Sequence, residues 1–412
     1  MNFNKRKRWI VLVLLFALIL SGCDALAKHN KDNTLAGLTH EQQMEDLDYL
    51  YTFMLEHYPL LSVDDQITAD WVSKKEGFME TLKTSKSSNT FGSVILDALI
   101  QLDSSHVQVA NRAQLISNYA NFTRPEQEQS YTLWTDIIKT ESVMNAYAIK
   151  PEELVVGSEP VSKPRMSNNP AFRTSVIVQD KVAYLRIEDL MVANDELDAE
   201  VEKVRVFLEE VKGYEKLIID MRGLGAGNDL FWKSAIVEPL IKESLTVEYY
   251  YFLKSTYAKG FFENRGFKIM PLTEIDSEKL KQVPETVQRE FQYYGIKNIT
   301  IDPKESIAFN GDIYVLTDES MNASADRFAS FAKDSGFATL VGETTSPGGL
   351  SETALIAALP NSGLVFNFKG DLVMNNDGTL NANIGTQPHI EMLDHDVRVE
   401  TIDKAISFIV NR

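Results

Sequence analysis

The stretch Tyr314–Gly349, YVLTDESMNASADRFASFAKDSGFATLVGETTSPGG, decides how the rest of the chain is read. Tyr314, Val315 and Leu316 form a short apolar run, which Asp318 to Asn322 interrupts. Ala325, Phe328, Ala329 and Ala332 then recur at helical spacing, and Gly336 fits a helix stop before a second apolar run, Ala338 to Val341. The spacing predicts strand, tight turn, helix, strand and a glycine-rich loop. A hydroxyl residue at such a turn stands near the unpaired N–H groups of a helix start, where acyl-transfer enzymes place a nucleophile. Ser324 fits that place, and it fits equally well as a plain helix cap.

The same segment resembles the signature of the tail-specific, or C-terminal-processing, serine peptidases, the family that includes the tricorn core protease. The resemblance rests on Val315-Leu316-Thr317-Asp318, Ala323-Ser324-Ala325-Asp326 and Gly342-Glu343-Thr344-Thr345, which align without a gap. It extends to Leu359-Pro360-Asn361-Ser362-Gly363-Leu364 and to Gly385-Thr386-Gln387-Pro388-His389-Ile390. Upstream, Ile218-Ile219-Asp220-Met221-Arg222-Gly223-Leu224-Gly225-Ala226-Gly227 echoes the family's Ile-Asp-x-Arg-x-Asn-x-Gly-Gly. The likeness covers roughly residue 180 to the C-terminus and implies an α/β, crotonase-like layered catalytic domain at 180–412, with an insertion of uncertain structure at about 255–306.

Ahead of that domain the chain reads differently. Lys5-Arg6-Lys7-Arg8 followed by the apolar run Trp9–Leu20 is a targeting segment, and Leu20-Ser21-Gly22-Cys23 resembles a lipoprotein signal-peptidase site. Cys23 is the only cysteine, so no intramolecular disulfide can form, and its position marks it as a lipidation site. Residues 1–22 then form the leader and 23–38 a polar tether. Thr39 with Gln42 makes a capping box, and Met44, Leu47, Leu50, Tyr51, Met54 and Tyr58 mark one helix face. Further helices near Ala69–Leu82 and Thr90–Leu102 complete a small helical N-terminal domain over 39–106, followed by a mixed region at 107–179. That region holds no Gly-Leu-Gly-Phe-like loop, so the PDZ module of many relatives is expected to be missing.

The formal charge of −18 becomes about −22 once a leader with four cations and no anion is removed. Nucleic acid is an unfavourable partner for such a surface, because phosphate contacts need basic patches. No spacing suggests a metal site, and no glycine-rich stretch matches a phosphate loop or dinucleotide fingerprint, so no cofactor is expected.

The resemblance assigns roles. His106 stands where the family places its base, and Ser105-His106 matches the Ser-His pair of the tricorn-like branch, which uses a Ser-His-Ser-Glu tetrad. Alternatively, His106 is a surface histidine at a helix end. Backbone N–H groups of Gly225, Ala226 and Ala325 are the expected oxyanion hole, with Leu224 replacing the usual Asn and Ala226 a Gly. The gapless alignment puts Ala323 at the family's nucleophile, one residue before Ser324, and Ala382 at the tetrad's glutamate. Gly348 takes the position of the lysine used by the Ser-Lys branch. Alanine can neither attack nor exchange a proton. Two expectations follow: a membrane-anchored, extracytoplasmic serine-type peptidase using Ser324 and His106 on peptide or protein substrates, or an inactive member of that fold that binds peptides or envelope components. A lipoprotein solute receptor is a third, weaker reading.

Overall fold

The computed structural model describes residues 37–85, 87, 89–102, 107–125, 127–157, 170–352, 354–392 and 403–412. Cys23, the leader at 1–22, most of the tether, Ser105 and His106 lie outside the described residues. The chain divides into two compact units, each assembled from separated segments. One gathers residues up to Pro160 with Lys254–Ile269 and Thr353–Gly370; the other gathers Val161–Leu253, Met270–Glu352 and Asp371–Arg412.

The first unit is largely helical. Its opening helix, His40–His57, starts at the expected box: Gln42 N–H donates to Thr39 Oγ1 and Thr39 N–H to Gln42 Oε1. Leu47, Leu50, Tyr51 and Met54 of this helix are fully buried, and Tyr51 stacks on Trp71 at 3.9 Å between ring centroids. The single helix expected near Ala69–Leu82 is two, Asp65–Ser73 and Lys75–Thr84, divided at Lys74. The break seats Trp71 so that its indole N–H reaches the Ala98 carbonyl at 2.7 Å, on the buried face of the Thr90–Ile100 helix. Three further helices, Arg112–Phe122, Thr132–Ile138 and Glu141–Ala146, follow in the stretch that read as mixed. A small antiparallel sheet sets Val365–Phe368 between Val107–Val109 and Leu355–Ala358. Asp46 is buried under this unit's Leu359–Leu364 turn and accepts the N–H groups of Asn361 and Ser362, both at 2.8 Å.

The second unit is built on a six-stranded sheet ordered Ile390–Glu391, Thr339–Gly342, Asp312–Thr317, Lys216–Asp220, Val182–Ile187 and Phe172–Val178. All neighbours are parallel except the last pair. Leu217, Ile218 and Ile219 are fully buried, as an apolar run in a parallel sheet requires. One face, carrying Val182, Ile218, Tyr314, Leu316 and Val341, is covered by Ala405 and Ile409 of the C-terminal helix Lys404–Asn411. A second, antiparallel sheet places Leu245–Leu253 between Asp371–Met374 and Tyr293–Ile301. The layered α/β domain and the helical N-terminal region are thus present. Tyr293–Ile301, inside the stretch that read as an insertion, is a nine-residue strand paired along its whole length with Leu245–Leu253.

Candidate functional site

Asp220 pairs in register with Leu316, and Thr317 with Gly342, so three parallel strands end at one level of the sheet. The loops 221–228, 318–322 and 343–349 leave from those carboxyl ends, the place where open α/β sheets bind ligands.

Each loop is fixed by its own polar anchor. Asp220 is 1% exposed and receives Tyr184 Oη at 2.7 Å, Arg186 Nη1 at 2.7 Å, and Arg222 Nε and Nη2 at 2.9 and 2.7 Å. Burial alone would raise this carboxyl, but the two guanidiniums outweigh it and hold it below the usual carboxylate range. In the second loop Asp318 Oδ1 accepts from the Ser320 and Met321 N–H groups at 3.2 and 3.1 Å, turning the chain into the Ala323–Asp334 helix. The third loop is tied to the second by Ser346 N–H, which donates to the Met321 carbonyl at 2.8 Å.

The first helical residue is Ala323, in the left-handed region at φ +47°. A non-glycine residue held there costs about 1–2 kcal/mol and persists only where its surroundings enforce it. The strand–turn–helix elbow expected from the sequence is therefore formed, and it presents a methyl group.

Ser324 points elsewhere. It is fully buried, and its Oγ donates to Asp229 Oδ1 at 2.6 Å. Arg327, one turn further along the same face, donates to the same carboxylate through Nε at 2.7 Å and Nη2 at 3.0 Å, and to the Gly349 carbonyl through Nη1 at 3.1 Å. Burial pushes the Asp229 carboxyl upward, but Arg327 and Ser324 overcome that and leave it below its ordinary value. The Ser324 hydroxyl is thus held as a donor to a carboxylate that Arg327 also grips.

The expected oxyanion-hole residues do meet. Ala325 N–H donates to the Gly225 carbonyl at 3.2 Å as well as to Asn322 O at 3.1 Å, and Asn322 N–H reaches Leu224 O at 3.2 Å. Ala226 sits beside this contact, exposed. The Ala325 donor is thus directed at a loop carbonyl. Gly225 packs under the Asn322 side chain so closely that a Cβ there would lie 2.8 Å from Asn322 Oδ1.

Asp326, on the next position of the helix, is wholly buried. Its carboxyl accepts Thr345 Oγ1 at 2.5 Å and Asn381 Nδ2 at 3.2 Å, and Thr345 Oγ1 in turn accepts Thr386 N–H at 2.7 Å. Burial raises its pKa against those donors. This acid joins the helix to the third loop and to the closing segment of the sequence signature. Ala382 follows Asn381 in that segment and is half-buried. Asp229, Arg327 and Asn381 were not singled out from the sequence, and Thr345 stood in the Gly342–Thr345 motif without a role. The only local signal was an acid two residues after Gly227 and an arginine three residues beyond Ser324. Among the described residues no cluster of three or more His, Cys, Asp or Glu is arranged to hold a metal ion.

A parallel sheet whose strand ends carry a glycine loop facing a strand–turn–helix elbow defines a layered α/β domain of the peptidase type. The chain belongs to peptidase family S41, whose model matches residues 181–392. It is therefore a member of a serine peptidase family and resembles the tail-specific proteases. Among solved structures, a candidate peptidase from Parabacteroides merdae is 14% identical, with 85% of this chain and 89% of that chain covered at a TM-score of 0.51. Mature CPAF is 14% identical over 85% of this chain and 92% of its own, at 0.50. CPAF complexed with lactacystin is 15% identical over 85% and 94%, also at 0.50. At such identities the likeness concerns the fold. No curated protein sequence matches the chain.

Proposed function

We propose that this protein is a lipid-anchored, extracytoplasmic member of the S41 fold that holds peptide or protein chains at the strand-end loops without cleaving them through Ser324. One observation carries the reading: Ser324 is buried and bonded to Asp229 at 2.6 Å, while the elbow position carries the Ala323 methyl. Family membership supports a peptide or protein ligand. Ala382, at the position aligned with the tetrad's glutamate, supports the loss of proton relay. The leader and Cys23 support the anchor.

The test combines a fluorophosphonate probe, peptide mapping, and binding and turnover of a peptide library. Peptide binding with an unlabelled Ser324 and no cleavage is expected; label on Ser324, or turnover lost in Ser324→Ala, overturns the proposal. Cys23→Ala is expected to release the protein from the membrane fraction. Hydrolysis is the second reading, favoured by the family match itself. Turnover that survives in Ser324→Ala and disappears on replacing another labelled serine would establish it.

A further inference from the structure

The C-terminal helix is tied to the sheet at both of its ends. At its C-terminal end the Ile409 carbonyl accepts Lys216 Nζ at 3.1 Å, beside the start of the Lys216–Asp220 strand. At its N-terminal end Asp403 is the cap, with Oδ1 accepting Ile406 N–H at 3.1 Å. The other oxygen, Asp403 Oδ2, meets Arg222 Nη2 at 2.7 Å. The same guanidinium grips Asp220 in a two-pronged contact, and Arg222's own carbonyl accepts Arg186 Nη2 at 2.7 Å. The next residue is Gly223, at φ +81°, which opens the loop carrying Gly225 and its carbonyl contact with Ala325.

We propose that Arg222 is a positioning residue through which the C-terminal helix sets the Gly223–Gly227 loop. Its planar fork spans two carboxylates at once, a geometry that lysine's single ammonium does not reproduce. The conformational freedom of the loop lies in its glycines, so Arg222 sets the point where it leaves the strand, while Asn322 N–H and Ala325 N–H hold the Leu224 and Gly225 carbonyls further along. The functional weight of this link rests on the peptide-binding reading; its existence does not.

Asp403→Asn in the full chain separates the link from mere helix stability. Asparagine caps a helix about as well as aspartate, so the bond to Ile406 N–H is kept while the charge facing Arg222 is lost. In hydrogen exchange read by mass spectrometry, loop amides 223–227 are expected to exchange roughly fivefold faster in Asp403→Asn, with helix amides 405–409 unchanged. In an Arg222→Lys background the same substitution is expected to add little, because the coupling has already been removed. Asp403→Ala, which also loses the cap, is expected to speed both segments. Unchanged loop exchange in Asp403→Asn, loop and helix accelerating by one common factor, or full additivity with Arg222→Lys would each overturn the proposal. Exchange is read without ligand, so a chain that bound no peptide would sink the functional reading and leave this one standing.

Discussion

Ser324 and Arg327 converge on one carboxylate, that of Asp229, which lies 95 residues before the serine. Ser324→Ala removes one donor and leaves the arginine in place. It is expected to cost about 1–2 kcal/mol in urea denaturation and to leave peptide affinity unchanged. Arg327→Met strips Asp229 of the Arg327 guanidinium, and the larger loss, about 2–3 kcal/mol after allowance for the partly exposed pair, is expected there. An equal cost for both would contradict this division of roles.

Ala323 is held at φ +47°, where a Cβ is unfavourable. Ala323→Gly relieves that strain, against the greater chain entropy of an unfolded glycine. A net gain of about 0.5–1 kcal/mol is expected, visible as a higher denaturation midpoint with an unchanged slope.

Asp334, which closes the same helix, has its pKa raised to about 6, mainly by burial and further by Asp377, against the opposing influence of Lys333 and Ser330. The native state therefore holds this proton more tightly than the unfolded chain does. Stability associated with it is present below the ordinary carboxylate range and is lost as pH rises through about 6. Asp334→Asn is expected to flatten that decline between about pH 4 and 6 and to raise stability at pH 7, by on the order of 1–2 kcal/mol. Denaturation midpoints of parent and variant at pH 4.5 and 7 decide it; a larger difference at the acidic value would refute the assignment.

In the first unit Asp46 accepts two backbone N–H groups, from Asn361 and Ser362. Asp46→Ala orphans both, one of them buried, and is expected to cost about 2–4 kcal/mol. Asp46→Asn retains one acceptor and is expected to cost roughly half as much by the same reasoning.

The parts of this fold that were legible in the sequence are those whose pattern is local. The Thr39–Gln42 box, the apolar Leu217–Ile219 run and the strand–turn–helix–strand from Tyr314 to Val341 each announce themselves within a few residues. Tyr293–Ile301 did not, because Gly295 and Lys297 stand on the face that Tyr293, Ile299 and Ile301 share and break its apolar set. It is a strand because Leu245–Leu253 pairs with it. Lys74 likewise looks like any helical lysine, and the break there goes with a distant contact, that of Trp71 with Ala98.

At the site, sequence spacing located the elbow and the glycine loop but not the direction of the hydroxyl. Whether a serine at the second helical position faces solvent or core depends on what lies beneath it. Here that is Asp229, brought in by the strand order rather than by any local motif. Asp326 was visible only as the acid ending a Ser/Ala-rich run. Its partners Thr345 and Asn381 come from two other segments.

The three-stranded sheet pairs Val107 with Phe368, so its middle strand comes from the far end of the chain and its edge from near the beginning. Such a pairing closes a very long loop before it gains any contact, which slows folding more than it weakens the product. The helical bundle that precedes Val107 can condense early, but its sheet must wait until most of the second unit's sequence has passed. A fragment ending at Pro160 would therefore lack two of the three strands, and no single cut in the backbone yields either unit whole.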